Sequence, residues 1–257
     1  MTDAPTPRDA GGQDPRAPGA GPAGGSAPGV PRQRWRLYVA QPAATEAERR
    51  AGPGARGLAG VLAASGLPLG EAGRGRVVAA APLPLGVSGE REVVDVLLVE
   101  RRSVAEVRAA VVAALPPGWT LVGLHDVWVG APAAPAAVVA ADYRVEVAGV
   151  PAAPLAEAAR ALLAAATLPR VRRREKRPTS YDLRPLLLGL EVRPAAGGVG
   201  ATLAMRLRHA PDAVGRPEEV IAALAEPPSP IAGSLMARTV VRERLVMADD
   251  ADAPPAG

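Results

Sequence analysis

The sequence predicts an α+β protein in which the order β-α-β-β-α-β is run through twice. Three observations carry this prediction. Apolar residues alternate with polar ones at 35–39 and again at 143–147, which starts each half with a strand that buries one face. A capped, apolar-striped helix at 103–115 has counterparts in the later helical patterns at 154–166 and 217–224. Between the halves the composition shifts to Gly, Ala and Pro over 130–141.

In the first half, Trp35, Leu37 and Val39 alternate with Arg34, Arg36 and Tyr38. Leu58, Val61 and Leu62 then stand at helical spacing, weakened by neighbouring glycines. Arg76–Ala80 and Val93–Val99 read as strands joined through a turn from Pro82 to Gly89. Ser103 and Glu106 have capping-box spacing, and Val104, Val107, Val111 and Leu115 follow as a stripe. Pro116-Pro117-Gly118 stops that helix. Trp119–Val122 and Asp126–Val129 read as a strand region broken near Gly123.

In the second half, Tyr143, Val145 and Val147 alternate with Arg144 and Glu146. Pro154 opens a helix at its first turn. Leu186–Val192 and Ala201–Arg208 read as strands around the turn at 194–200. Pro217-Glu218-Glu219 starts a helix with acids at its positive end. Arg238–Met247 is the last strand. This order is that of the ferredoxin-like fold, so two tandem modules with antiparallel sheets are expected, at 32–130 and 142–247, joined by a linker at 131–141. Residues 1–31 and 248–257 read as disordered tails. One continuous α+β domain is the alternative.

Composition narrows the chemistry. The 257 residues contain no cysteine, which excludes disulfides, thiolate nucleophiles and cysteine-held metal or iron–sulfur sites within this chain. A cytoplasmic location fits that usage. No apolar run is long enough to span a bilayer, and residues 1–31 lack the apolar core of a secretory signal, so no membrane association is expected. The net charge of +4 permits a polyanionic partner without demanding one.

Arg170, Arg172, Arg173, Arg174, Lys176 and Arg177 form a dense basic run, read as a loop between a helix and a strand. Like charges this close need counter-ions, and a phosphate backbone supplies them. Guanidinium groups also fit phosphate oxygens as a planar fork. Arg206 and Arg208, on the expected polar face of the strand 201–208, either extend the patch or simply face solvent. These eight residues are the candidate nucleic-acid-binding set; a solvated loop is the other reading. The chain has no Phe, so base stacking on strand aromatics is not expected. Trp35, Trp119 and Trp128 read as core residues.

No residue is assigned a catalytic role. His125 and Asp126 are adjacent, but neighbours on a strand point to opposite faces. His209 stands apart from His125, with no metal-ligand spacing. Asp95, inside an apolar strand, is expected to face solvent. Tyr181-Asp182-Leu183-Arg184-Pro185 reads as a turn with an internal Asp–Arg pair. The glycines between Gly70 and Gly75 lack the lysine and hydroxyl residue of a phosphate loop.

Leu83-Pro84-Leu85-Gly86-Val87 with Glu90 and Asp95, Leu115-Pro116-Pro117-Gly118-Trp119, His125-Asp126-Val127-Trp128, Ala141-Asp142-Tyr143 and Tyr181–Leu186 together resemble the radical SAM-associated protein family, built around a bacterial domain of unknown function. The resemblance spans about residues 34–208. It implies a radical SAM protein as partner, a link to RNA, and no cofactor on this chain, since the cluster-binding cysteines belong to the partner. The family's Ser-His-Leu-Asp helix start and its Ser-x-Gly-Phe-x-Pro segment are absent. Residues 54–60 and 69–75 stand in their place, without the polar groups suited to catalysis. The expected function is therefore a non-enzymatic accessory protein contacting RNA through the basic run. A protein scaffold, or an RNA-modifying enzyme acting near His125 and Asp182, are the alternatives.

Overall fold

The computed structural model describes residues 31–44, 57–69, 77–173, 178–195, 200–210, 213–227 and 229–250. The segments read as tails lie almost wholly outside these residues. The protein is mixed α+β, organised on one large, mainly antiparallel sheet of eight strands.

In the first half, β1 (Gln33–Gln41) lies between β3 (Val87–Leu98) and β4 (Thr120–Val127), and β2 (Val77–Ala79) pairs with β3. The helices α1 (Leu58–Ala63) and α2 (Val104–Ala114) cover one face. Alternation decides which residues meet them: Trp35, Leu37 and Val39 join Val94, Val96 and Leu98 against Leu62, Val107 and Val111. Each fully buried leucine here contributes about 1.5–3 kcal/mol. The capping box forms as its spacing predicts. Ser103 Oγ accepts from Glu106 N, and Ser103 N donates to Glu106 Oε2 at 2.7 Å. The region around Gly123 is one strand; its irregularity is confined to a register shift opposite Tyr38 and Val39.

Between the halves, residues 131–141 are tied down rather than free. Arg34 donates to the carbonyls of Val129 and Ala131 at 2.7 and 2.6 Å. The short helix α3 (Ala134–Ala137) follows, and Ala134 N donates to Asp95. Asp95 is therefore buried, not solvent-facing. It takes a fork of two bonds from its cross-strand neighbour Arg36, at 2.8 and 3.0 Å.

In the second half, β5 (Val138–Ala148) lies between β9 (Ala201–Arg208) and β10 (Met236–Met247), with β8 (Leu187–Pro194) outside β9. The helices α4 (Ala152–Ala164) and α5 (Pro217–Ala225) bring Leu155, Ala158, Val220 and Leu224 onto Tyr143, Val145, Leu203 and Met205. The described part of the basic run, Arg170–Arg173, is a strand rather than a loop. It builds β6 (Pro169–Arg173), which pairs with β7 (Pro178–Asp182) in a separate two-stranded hairpin. Val171, Thr179 and Tyr181 supply its strand character.

The halves meet edge to edge within one sheet. The first residues of β3 pair in parallel with β10: Val87 with Val240, Ser88 with Val241 and Gly89 with Arg242. At the same end, between the pairs Val39–Glu92 and Gln41–Gly89, one residue of β1 opposes two of β3. This bulge lets Glu92 fold over Gly89, where any side chain at position 89 would collide with it.

Candidate functional site

The main cleft, about 880 Å³, opens at the junction of the halves. Its first wall is the turn Pro82–Val87. Val87 N donates to Pro84 O, and Gly86 has φ +73°, a conformation that costs glycine nothing. Leu85 projects at the tip. The rest of the lining comes from Val240 of β10, beside its strand partner Val87, from Ala213–Gly215, and from the start of α5 with Arg216, Glu218 and Ile221.

The floor is built on a buried ion pair. Arg242 is 1 % exposed and grips both carboxylate oxygens of Glu92 from the other half. Its remaining N–H groups donate to the carbonyls of Ala81 and Pro82, each at 3.1 Å. The same guanidinium thus holds the turn that forms the first wall. Tyr143, paired with Arg242 across the strands, lies beside it, and burial pushes its phenol above the ordinary tyrosine range. His209 lines the cleft as well. Burial first, and then the Arg242 charge, hold its imidazole below the ordinary histidine range. It is therefore a neutral donor–acceptor at pH 7.

The basic hairpin stands at the rim. Arg172 lines the cleft, donates to Val214 O at 3.2 Å, and lies over the Tyr181 ring at 4.8 Å. Its Nε is buried and has no partner among the described residues. Arg170 is turned to the body of the protein and pairs with Glu226 at 2.9 Å. Arg173 closes β6, while Arg174, Lys176 and Arg177 lie outside the described residues. Arg206 departs from its expected role: its fork holds Asp142 at 2.7 and 3.0 Å, and Arg244 donates to the same carboxylate. Arg208 is exposed and lines a second, smaller hollow with Leu188 and Val246. Of the candidate set, the structure thus brings Arg172 to the cleft, pairs Arg170 with the exposed Glu226 and commits Arg206 to the buried Asp142.

The residues of the enzyme alternative do not converge. His125 packs edge-on against Tyr38 on β4, with ring centroids 5.4 Å apart. Asp182 accepts from Leu168 N and Arg184 N, which lowers its carboxyl below the usual range. The Arg184 guanidinium goes instead to the carbonyls of Leu163 and Leu187. Neither His125 nor Asp182 lines the cleft. Among the described residues, no three His, Asp or Glu side chains stand together as metal ligands, and no helix is long and apolar enough to cross a membrane. Trp35 is buried and Trp119 partly so. Trp128, expected in a core, is 79 % exposed because β4 ends one residue before it.

Sequence reasoning missed Glu92, Tyr143, His209 and Arg242. Nothing local marked Arg242: it opens the charged triplet Arg242-Glu243-Arg244, which reads as a solvated stretch.

A search of curated proteins gives no match. Among solved structures, the chain is similar to one in the crystal structure of a Cbf5–Nop10–Gar1 complex. The identity is 12 %, the TM-score 0.46, and the match covers 82 % of this chain and 49 % of that one. This chain thus spans about half the length of that structure. The turn at 82–87, Tyr143, the β6–β7 hairpin and His209 all fall within residues 73–217, which match a family model, and the chain belongs to that family, described as an uncharacterized protein conserved in bacteria (DUF2344).

Proposed function

We propose that this chain is a non-enzymatic accessory protein of a radical SAM enzyme, and that it holds RNA on the β6–β7 hairpin at the rim of the main cleft. One observation carries the reading: Arg172 belongs both to the densest run of positive charge and to the cleft wall. A phosphate backbone lying along the hairpin would pass directly over the cleft. Arg216, half-exposed at the start of α5, adds a second cation at that rim. The tie to a radical SAM partner rests on the resemblance of the Leu83–Val87, Ala141–Tyr143 and Tyr181–Leu186 segments. The same reading takes the halves as two ferredoxin-like modules fused through β3 and β10. The orders β4-β1-β3 and β10-β5-β9-β8 support it.

A salt titration tests the RNA contact. Wild-type affinity for single-stranded RNA should fall steeply with salt, the logarithmic slope gaining about 0.7 per neutralised phosphate. Alanine at Arg172, Arg173, Arg174, Lys176 and Arg177 should weaken binding and flatten the slope. Equal affinity and slope in both proteins would remove the hairpin from the reading. For the partner, co-purification with a radical SAM protein of the same genome should survive nuclease treatment if the two proteins touch directly.

A further inference from the structure

We propose that the main cleft takes a single unstacked nucleotide of the bound RNA, its base inserted between the Pro82–Val87 turn and α5 and its phosphate held at the rim by Arg172 and Arg216. This rests on the RNA reading above and adds a ligand class and an orientation to it.

The orientation follows from which cations are already committed. Arg242, at the floor, has its donors taken by Glu92 and by the Ala81 and Pro82 carbonyls. It has no fork to offer an anion. Arg172 lies at the rim with one guanidinium nitrogen on the Val214 carbonyl and no ion-pair partner among the described residues, and Arg216 has there only a loose contact with Glu218 at 3.7 Å. The anionic end of a ligand therefore belongs outside. What belongs inside is set by the lining: Leu83 and Pro84 from the turn, Ile221 from α5, and the adjacent strand partners Val87 and Val240. An apolar slot of this kind suits a flat heterocycle. His209 then adds the one group that such a ligand's edge requires. A neutral imidazole presents one donor and one acceptor, which matches the edge of a base better than a second cation would.

The size also fits. About 880 Å³ lies within the range of small-ligand sites, far too little for a duplex but ample for one nucleotide. Single-stranded RNA can present such a nucleotide at modest unstacking cost.

The test uses the full chain and single-stranded RNA carrying one 2-aminopurine, moved through successive positions. Saturating wild-type protein should raise the fluorescence severalfold at some position, because the base leaves its stack. At saturating RNA, Ile221→Trp, which fills the slot, should abolish that rise; Leu83→Trp fills it from the other wall and serves if the first variant fails to fold. A rise unchanged in the slot-filling variants, or no rise while RNA is bound, overturns the proposal. If wild type binds no RNA, the functional reading fails on its own, and uridine or adenosine monophosphate decides the cleft. NMR shifts at His209 that vanish in Ile221→Trp would keep a nucleotide site, and their absence would remove it.

Discussion

Arg242 and Arg172 line the same cleft, and their chemistry is opposite. Arg242 sits at the floor, satisfied on every side by a carboxylate and two carbonyls. Arg172 sits at the rim, held by one carbonyl and an aromatic face, with no ion-pair partner among the described residues. The first joins the halves of the molecule; the second is available to a ligand. An arginine's role here is set by what already answers its donors, not by the local density of charge. Arg206 makes the same point: it lies on the face expected to bind phosphate and is given over to Asp142.

The comparison can be broken most severely at the floor. Arg242→Ala leaves Glu92 buried without its partner and should cost about 3–5 kcal/mol of stability in urea unfolding. The double variant Arg242→Met with Glu92→Leu should recover most of that loss, because two apolar side chains leave no orphaned charge. A double variant as unstable as the single one would show that the carbonyl contacts to Ala81 and Pro82 matter more than the pair. Next in size is Asp142→Asn, which weakens the bonds from both Arg206 and Arg244. It should cost about 2–3 kcal/mol by the same measurement. At the rim the balance reverses. Arg172→Ala should change stability by no more than about 1 kcal/mol while lowering RNA affinity, read by fluorescence anisotropy.

The smallest effect concerns pH. The folded His209 has a pKa below its unfolded value, so the unfolded chain takes up the proton first. The associated stability is present above the ordinary histidine range and is lost as pH falls through that range toward the folded value. His209→Gln should therefore flatten the decline in melting temperature between about pH 7 and pH 5. An identical decline in both proteins would place the acid sensitivity elsewhere.

Local signals made much of the fold legible. The Ser103–Glu106 box marks the start of α2, and unbroken alternation marks β9 as 201–208. What escaped was whatever depends on distant partners. The strand β3 begins at Val87, because β10 supplies its first hydrogen bonds and a bulge at Gly89–Glu92 interrupts the alternation. Residues 131–141 look like a tether by composition, yet Arg34 and Asp95 fasten them. The hairpin hid behind its own charge, since four of the five residues 170–174 are arginine. The cleft floor was illegible for a simple reason: Glu92 and Arg242 stand 150 positions apart, and neither carries a local sign of the other.

The most direct test of the cleft-and-hairpin account is photo-crosslinking of 4-thiouridine RNA to the full chain, with the attached peptides read by mass spectrometry. Crosslinks are expected within the β6–β7 hairpin, at 82–87, at His209 and within 213–221. Crosslinks confined to β4 and α2, with none on the hairpin or the cleft, would contradict it.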